Sequence, residues 1–314
     1  MKRRLFSILL TLALCIGLMP AMVWAAEDIN PDSWGALRTA IDTDGATIKL
    51  NQNIEAGSSD FTLMVSSGKK VILDLNGYTI DRGLSNVTVS FTTGAPVINV
   101  QGELTIKDSS AEGNGMITGG NNVASGGGIH VFSGGTLNLD GGHISGNTSS
   151  GNGTAGGVQV EGTFNMNGGS IERNNSETHG GGVSVSGGVF EMNEGLIANN
   201  TAKEYGGGVF AGYATFNLNG GIIRNNSAAN GGGIWANQTT LNVVGGTITL
   251  NTASENGGGA FLNAPDKYGG GDYQINGGTI TNNTATIQGG GIYMDGDASA
   301  TVRRISMKGA PIIS

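Results

Sequence analysis

The sequence predicts an all-β fold: a right-handed, single-stranded parallel β-helix with three sides, about nine coils and a short N-terminal cap helix. Three observations support this prediction. The chain resembles itself at intervals of about 25 residues, its 58 glycines follow that period, and its apolar residues alternate within segments too short for helices. Without a period, this much glycine would instead be typical of disorder.

Three short elements recur in a fixed order. The first is a glycine run followed by an apolar-x-apolar triplet, as in Val209-Phe210-Ala211, and the second is another such triplet, as in Phe216-Asn217-Leu218. The third places an asparagine three residues after an isoleucine, as in Ile223 and Asn226. Each triplet predicts a half-buried strand. The glycines suit the tight corners between strands, because glycine adopts positive φ without steric cost.

The asparagine of the third element recurs on six successive repeats. Asparagine tolerates left-handed backbone and forms local hydrogen bonds in turns. Stacked in register, these residues predict a structural ladder inside a corner, since amide ladders stabilise stacked strands. Metal or glycan ligation is the alternative, and we expect no metal site. The six residues are Asn147, Asn174, Asn200, Asn226, Asn251 and Asn283.

The N-terminal part follows the same pattern less regularly. Residues 73–80 have the spacing of residues 164–171, which predicts that Leu73 occupies the position of Phe164. Before them, residues 33–42 predict a short amphipathic helix that Ser33 caps. A solenoid needs a cover on its open end, so we interpret this helix as the N-terminal cap. Its apolar face would contain Trp34, Leu37 and Ile41.

The N-terminus of the chain suggests export. Residues 1–25 contain a basic start and an apolar stretch, which is typical of a secretory signal peptide. Cleavage would remove Cys15, the only cysteine, and leave residues 26–314 as one β-helix domain with 13 basic and 24 acidic residues. This charge argues against nucleic acid and anionic membranes as partners. We expect a monomer without membrane insertion, and a domain that continues beyond residues 312–314.

The repeat also resembles a known family. The pattern Ile-x-x-Asn-x-Ala followed by Gly-Gly-Gly-Ile, clear across residues 197–209, resembles the repeats of polymorphic outer membrane proteins. Those repeats have Phe where this chain has Ile, and Ala where it has the third Gly. Residues 75–80 resemble a motif of exported β-helix proteins from Gram-positive gut bacteria. From about Asp74 onward, the resemblance implies a pectin-lyase-like β-helix on a bacterial surface, often an adhesin.

The outward-facing positions do not predict catalysis. Glycoside hydrolysis needs two carboxylates at a defined separation, and a lyase needs a base with charge neutralisation. No predicted outward column stacks acids on adjacent coils, and His130, His143 and His179 are scattered. We therefore expect no catalytic residues and no cofactor.

One outward column differs from the others by carrying aromatic residues on four consecutive coils. If its apolar neighbours point inward, the four rings would form an exposed stripe about 14 Å long, suited to stacking on sugars. The alternative is an aromatic ladder that only stabilises the sheet, or one covered by the insertion between Asn263 and Asp272. The column contains Phe210, Trp235, Phe261 and Tyr293.

These patterns together predict an extracellular or cell-surface adhesin or scaffold. Its partners would be host or environmental glycans or surface proteins. Two alternatives stay open: a carbohydrate-active enzyme whose site is degenerate or lies outside this fragment, and a purely structural stalk. Fold alone does not decide among them, because one fold supports many functions.

Overall fold

A computed structural model describes residues 28–85, 87–88, 94–151, 155–263 and 271–296, together with the strands at 304–307 and 312–313. The predicted signal peptide, residues 1–25, lies outside the described residues. The described chain forms a right-handed parallel β-helix, which confirms the predicted fold class. Its strands form four parallel sheets, named A to D below.

Sheets A and B form two faces of the coil, and each has ten strands. The strands of sheet A are Thr47–Lys49, Lys70–Asp74, Glu103–Lys107, Thr136–Leu139, Thr163–Met166, Val189–Met192, Thr215–Leu218, Thr240–Val243, Asp272–Ile275 and Arg304–Met307. Those of sheet B are Ile54–Glu55, Thr79–Asp81, Met116–Thr118, His143–Ser145, Ser170–Glu172, Leu196–Ala198, Ile222–Arg224, Thr247–Thr249, Thr279–Thr281 and Ile312–Ile313.

Sheets C and D complete the coil. The nine strands of sheet C are Leu63–Val65, Ile98–Val100, Ile129–Val131, Val158–Val160, Val183–Ser186, Val209–Gly212, Ile234–Asn237, Ala260–Asn263 and Ile292–Asp295. The seven strands of sheet D are Asn121–Asn122, Thr148–Ser149, Asn175–Ser176, Thr201–Ala202, Ser227–Ala228, Thr252–Ala253 and Thr284–Ala285. Sheet D was not predicted, because a two-residue strand is too short to show an alternating pattern.

The inward side chains of sheets A, B and C form one continuous core. In a typical coil, Val209, Phe216 and Ile223 each have 0% of their surface exposed. Like residues stack on like residues along the axis. The ring centroids of Phe164 and Phe190 are 4.8 Å apart, and those of Phe190 and Phe216 are 4.9 Å apart. This stacking lets each coil bury an apolar face that it could not bury alone.

Helix α1, Trp34–Ile41, belongs to the same core. The Ser33 side chain caps it by accepting a hydrogen bond from the Ala36 backbone N–H at 3.3 Å. The helix packs against the first strand of sheet C. Its buried residues are Trp34, Leu37, Ala40 and Ile41.

One predicted register is wrong by two residues. Val71, rather than Leu73, occupies the column that leads through Leu104 and Leu137 to Phe164. Leu73 lies in the column of Met166 instead, while Ile80 reaches the column of Ile171 as predicted. A slip of two residues keeps every side chain on the same face, so alternation alone does not distinguish the two registers.

The six corner asparagines lie in one column linked by side-chain hydrogen bonds. In each of the five steps, one Nδ2 donates to the Oδ1 of the next coil at 3.0 to 3.1 Å. Asn200 shows the complete pattern. Its Oδ1 accepts from both the backbone N–H and the Nδ2 of Asn174, and its Nδ2 also donates to the Ile171 carbonyl at 2.8 Å. The amide therefore uses all of its donors and is fully buried.

The glycine run before each sheet C strand packs against this ladder and against sheet D. A Cβ on Gly208 would lie 3.0 Å from Asn226 Nδ2 and 2.6 Å from the Gly233 carbonyl oxygen. A Cβ on Gly207 would meet the Ser227 carbonyl in sheet D. Gly206 has a φ of +67°, a conformation that residues with a side chain rarely adopt. The run is therefore required by close backbone approach as well as by the turn.

Asn200→Ala tests the contribution of the buried ladder. The substitution removes the four buried hydrogen bonds that the Asn200 amide makes with Asn174, Ile171 and Asn226, and it leaves the Asn174 backbone N–H without its acceptor. We therefore expect it to lower the free energy of unfolding by about 3 kcal/mol. Chemical denaturation of the purified chain measures this loss. Asn219→Ala, which removes a solvent-exposed amide, is the matched control and should lower it by less than about 1 kcal/mol. Equal effects would contradict the assignment.

Candidate functional site

The predicted aromatic column lies on the outer face of sheet C, on four consecutive coils. Phe210 pairs with Trp235, Trp235 with Phe261, and Phe261 with Tyr293. The expected exposure, however, is wrong. Phe210, Trp235 and Phe261 are only 9%, 7% and 7% exposed, while Tyr293 is half-buried. The column is a small second core outside the coil and presents no open aromatic stripe.

The rings of this outer core are in contact along its length. The centroids of Phe210 and Trp235 are 4.7 Å apart, and their planes differ by 7°. His179 extends the column at its N-terminal end by stacking on Phe210 at 4.5 Å, and Tyr205 lies 4.9 Å from Trp235. Such aromatic pairs stabilise a fold beyond the area they bury. The geometry favours the stabilising interpretation of the column over the ligand-binding one.

The path of the chain explains why the column is buried. In the described residues, seven coils leave sheet B, form a strand of sheet D, and return through the glycine run to sheet C. His179 and Tyr205 lie on this return segment, where they form a parallel bridge with one another. Their side chains cover the flank of the aromatic column. Residues 264–270, which form most of the insertion considered as a cover, lie outside the described residues.

The histidine of this outer core has a perturbed acidity. Burial lowers the pKa of His179 below its usual 6.5, and the nearby Glu204 carboxylate opposes that shift. The Nε2 of His179 is 3.8 Å from Glu204 Oε2. The neutral imidazole is therefore the form that the folded protein favours.

A second histidine lies in a serine–glutamate cluster on the outer face of sheet B. His143 Nδ1 is 2.6 Å from Ser170 Oγ, and that hydroxyl donates to Glu172 Oε1 at 2.7 Å. In a Ser-His-Asp arrangement the carboxylate binds the opposite ring nitrogen and orients the base. Here Glu172 approaches the same nitrogen, at 3.7 Å, and Ser170 is only 4% exposed. The cluster therefore does not reproduce the geometry of acyl transfer.

Metal ligands are not grouped in the described part of the chain. Among those residues, no three His, Cys, Asp or Glu side chains come close enough to hold a metal ion. The only helix described there is too short and too polar to span a membrane.

The outer face of sheet A carries a polar lattice to which the sequence interpretation assigned no role. On the six coils between Thr136 and Asn276, positions one, three and five of the sheet A segment point outward and form three columns of mostly polar residues. Two of these coils have the full pattern Thr-x-Asn-x-Asn. Columns are about 7 Å apart along a strand, and coils are about 4.8 Å apart. The clearest members are Thr163, Asn165 and Asn167 on one coil, and Thr215, Asn217 and Asn219 on another.

Hydrogen bonds organise this lattice along the axis. In its exposed outer column, Asn219 donates to Asn193, Asn193 to Asn167, and Asn167 to Asp140, each at 2.9 Å. In the middle column Asn165 donates to Asn138 at 2.8 Å. Glu191 accepts from the amides of the following coil, Asn217 at 2.5 Å and Asn219 at 3.2 Å. The asparagines that recur at the third and fifth positions of these segments were the available sequence signal for this surface.

Comparisons with protein-family profiles, curated proteins and solved structures found no match to this chain. The resemblance to polymorphic outer membrane protein repeats therefore depends on the motif residues alone. The functional argument depends on the surfaces of the β-helix itself.

Trp235→Ala tests the stabilising role of the aromatic column. Removing a ring packed between Phe210 and Phe261 should lower the free energy of unfolding by about 3 kcal/mol. Denaturant unfolding measures the change. Tyr213→Ala removes an aromatic side chain that is 67% exposed, and as a matched control it should leave stability nearly unchanged. A Trp235→Ala variant as stable as the wild type would exclude a packing role.

The lowered pKa of His179 predicts a pH dependence of stability. Because the unfolded chain binds the proton at a higher pH than the folded one, stability should fall as the pH drops below about 6.5. His179→Phe keeps a ring against Phe210 and should reduce this loss, while matching the wild type near pH 8. Thermal unfolding between pH 8 and pH 5 measures both. An identical pH profile in the two proteins would show that His179 does not contribute.

Proposed function

We propose that this chain is an extracellular scaffold of the adhesin type whose outer face of sheet A binds neutral glycans. The observation that carries the proposal is the amide lattice of that face. It supplies regularly spaced hydrogen-bonding groups over consecutive coils. A repetitive surface of this kind suits a repetitive polymer.

The lattice keeps unused hydrogen-bonding capacity. An asparagine amide has two N–H donors and an oxygen with two lone pairs. Asn193 gives one donor to Asn167 and accepts one bond from Asn219, while its side chain stays exposed to solvent. One donor and one acceptor site therefore remain on each interior amide. Sugar hydroxyls both donate and accept, so they complement this pattern.

Charge favours neutral over acidic glycans. The three columns between Thr136 and Asn276 contain the carboxylates of Asp140, Glu191 and Asp272 and no basic side chain. Acidic polymers such as polygalacturonate would be repelled by this field. A neutral chain of sugars meets no such penalty.

The scaffold part of the proposal has separate support. The buried asparagine ladder, the stacked phenylalanines of the core and the outer aromatic core of sheet C favour a rigid rod. A rigid rod keeps the polar groups on sheet A at fixed positions. The resemblance to adhesin-type repeats and the signal-like residues 1–25 favour display outside the cell. The structural stalk stays the main alternative, since a rigid rod serves that role without any ligand.

The proposal predicts binding of neutral oligosaccharides to the full chain. Asn167→Ala, Asn193→Ala and Asn219→Ala combined should weaken the affinity at least about tenfold, because three bonding groups are lost. Isothermal titration with cellohexaose, chitohexaose and mannohexaose measures the effect. The matched control combines Thr247→Ala, Thr249→Ala and Thr281→Ala on the outer face of sheet B, and its affinity should equal that of the wild type.

Two results would contradict the proposal. If none of the three neutral hexasaccharides binds at millimolar concentration, the stalk alternative is favoured. If polygalacturonate binds more tightly than the neutral sugars, or is cleaved, the charge argument fails and the enzyme alternative returns.

A further inference from the structure

A cavity of about 360 Å³ opens at the corner where sheet C passes into sheet A. Its wall includes the corner residues of three successive coils, Gly187, Tyr213 and Gln238. Their φ angles are +73°, +52° and +48°. Side chains rarely adopt this conformation, so Tyr213 and Gln238 are held there by the surrounding fold.

Tyr213 provides an open aromatic surface beside the cavity. It is 67% exposed, whereas Phe210, on the strand that ends just before it, is 9% exposed. Its backbone N–H donates to the Asn237 carbonyl at 3.0 Å, which fixes the position of the corner. A large apolar ring held in solvent by a fixed backbone is available for stacking against a ligand.

Two acceptor oxygens of residues that line the cavity lack partners. Gln238 Oε1 and Asp272 Oδ1 are shielded from solvent and accept no hydrogen bond. The other carboxylate oxygen of Asp272 accepts from Gln274 Nε2 at 3.1 Å. An unpaired, shielded acceptor is unfavourable, so a donor that reaches it through a small side-chain rotation would be stabilised. The cavity therefore favours a ligand with several hydroxyl donors.

A cation fits these residues less well. Calcium takes six to eight oxygen ligands, several of them carboxylates. Asp272 is the only carboxylate among the described residues that line the cavity. A hydroxylated ring needs only a few donors and one apolar face.

We infer that this cavity is a subsite for a single ring of a neutral glycan, with the sugar face stacked on Tyr213 and its hydroxyls directed to Gln238 and Asp272. The inference rests on the proposed function, because the cavity is continuous with the sheet A lattice through Thr215, Thr240 and Asp272. Its volume lies at the lower end of the range for small-molecule sites, about 300 to 1,000 Å³, which matches one ring.

The length of the chain at this corner supports the same site. The step from Asn226 to Asn251 in the ladder is 25 residues, whereas the step from Asn251 to Asn283 is 32. Six of these seven additional residues enter between Asn263 and Asp272, at the corner that carries the cavity. Insertions in solenoid repeats are concentrated on one face, which is often the binding face.

Saturation-transfer NMR with methyl glycosides of glucose, galactose, mannose and N-acetylglucosamine tests the subsite on the full chain. At least one glycoside should bind the wild type. Tyr213→Ala should weaken that binding by about tenfold or more, while Tyr213→Phe, which keeps the ring, should retain it within about twofold. A melting temperature within about 2 °C of the wild-type value, expected for an exposed side chain, verifies that each variant is folded.

The outcomes separate the subsite from the proposed function. If hexasaccharides bind but no methyl glycoside does, or if folded Tyr213→Ala binds the glycoside as tightly as the wild type, the subsite is wrong and the lattice proposal stands. If neither hexasaccharides nor glycosides bind, both are wrong. Loss of binding in Tyr213→Phe as well would exclude stacking as the source of affinity.

Discussion

The buried amide column fixes the register on which the rest of the molecule depends. Its steps between coils are 27, 26, 26, 25 and 32 residues long, yet every amide bond stays at 3.0 to 3.1 Å. The number of residues per coil therefore varies without breaking the stack, because the additional residues lie at corners other than the one that contains the asparagines. Each amide is fully bonded in a buried site, where an unpaired group would be strongly unfavourable. A slipped coil would break several such bonds at once.

The same column explains the glycines and the outer aromatic core. The backbone of Gly208 passes close to the Asn226 amide, and Gly207 passes close to the sheet D strand of the next coil. Side chains at these positions would separate the return segment from the coil. Because the segment stays close, His179 and Tyr205 reach the outer face of sheet C and cover Phe210 and Trp235. A corner interaction thereby turns an outward column into a second core.

Periodicity in the sequence was sufficient for the fold but insufficient for the surfaces. The apolar-x-apolar triplets and the corner asparagines, such as Asn226, repeat on successive coils. They therefore predict the strands, the side chains that face inward, and the position of the asparagine ladder. Sheet D could not be predicted, since a two-residue strand such as Thr201–Ala202 is too short to show alternation. Without sheet D and the return segment, the sequence predicts that Trp235 is exposed. The cavity at Tyr213 was also hidden, because corner φ angles and shielded oxygens such as Asp272 Oδ1 depend on how neighbouring coils meet.

The molecule uses one residue type for two purposes, and burial decides between them. Asn200 in the corner has no solvent contact, and its amide makes four hydrogen bonds within the protein. Asn193 on sheet A makes two side-chain bonds along the axis and turns its remaining donor and acceptor sites to solvent. The buried asparagine column uses its hydrogen bonds to link successive coils, and this holds the strands in register at even spacing. The exposed asparagine column of sheet A has the same spacing, because it lies on the same coils. Its unpaired N–H donors and oxygen acceptors therefore form a lattice whose regularity depends on the buried asparagine ladder.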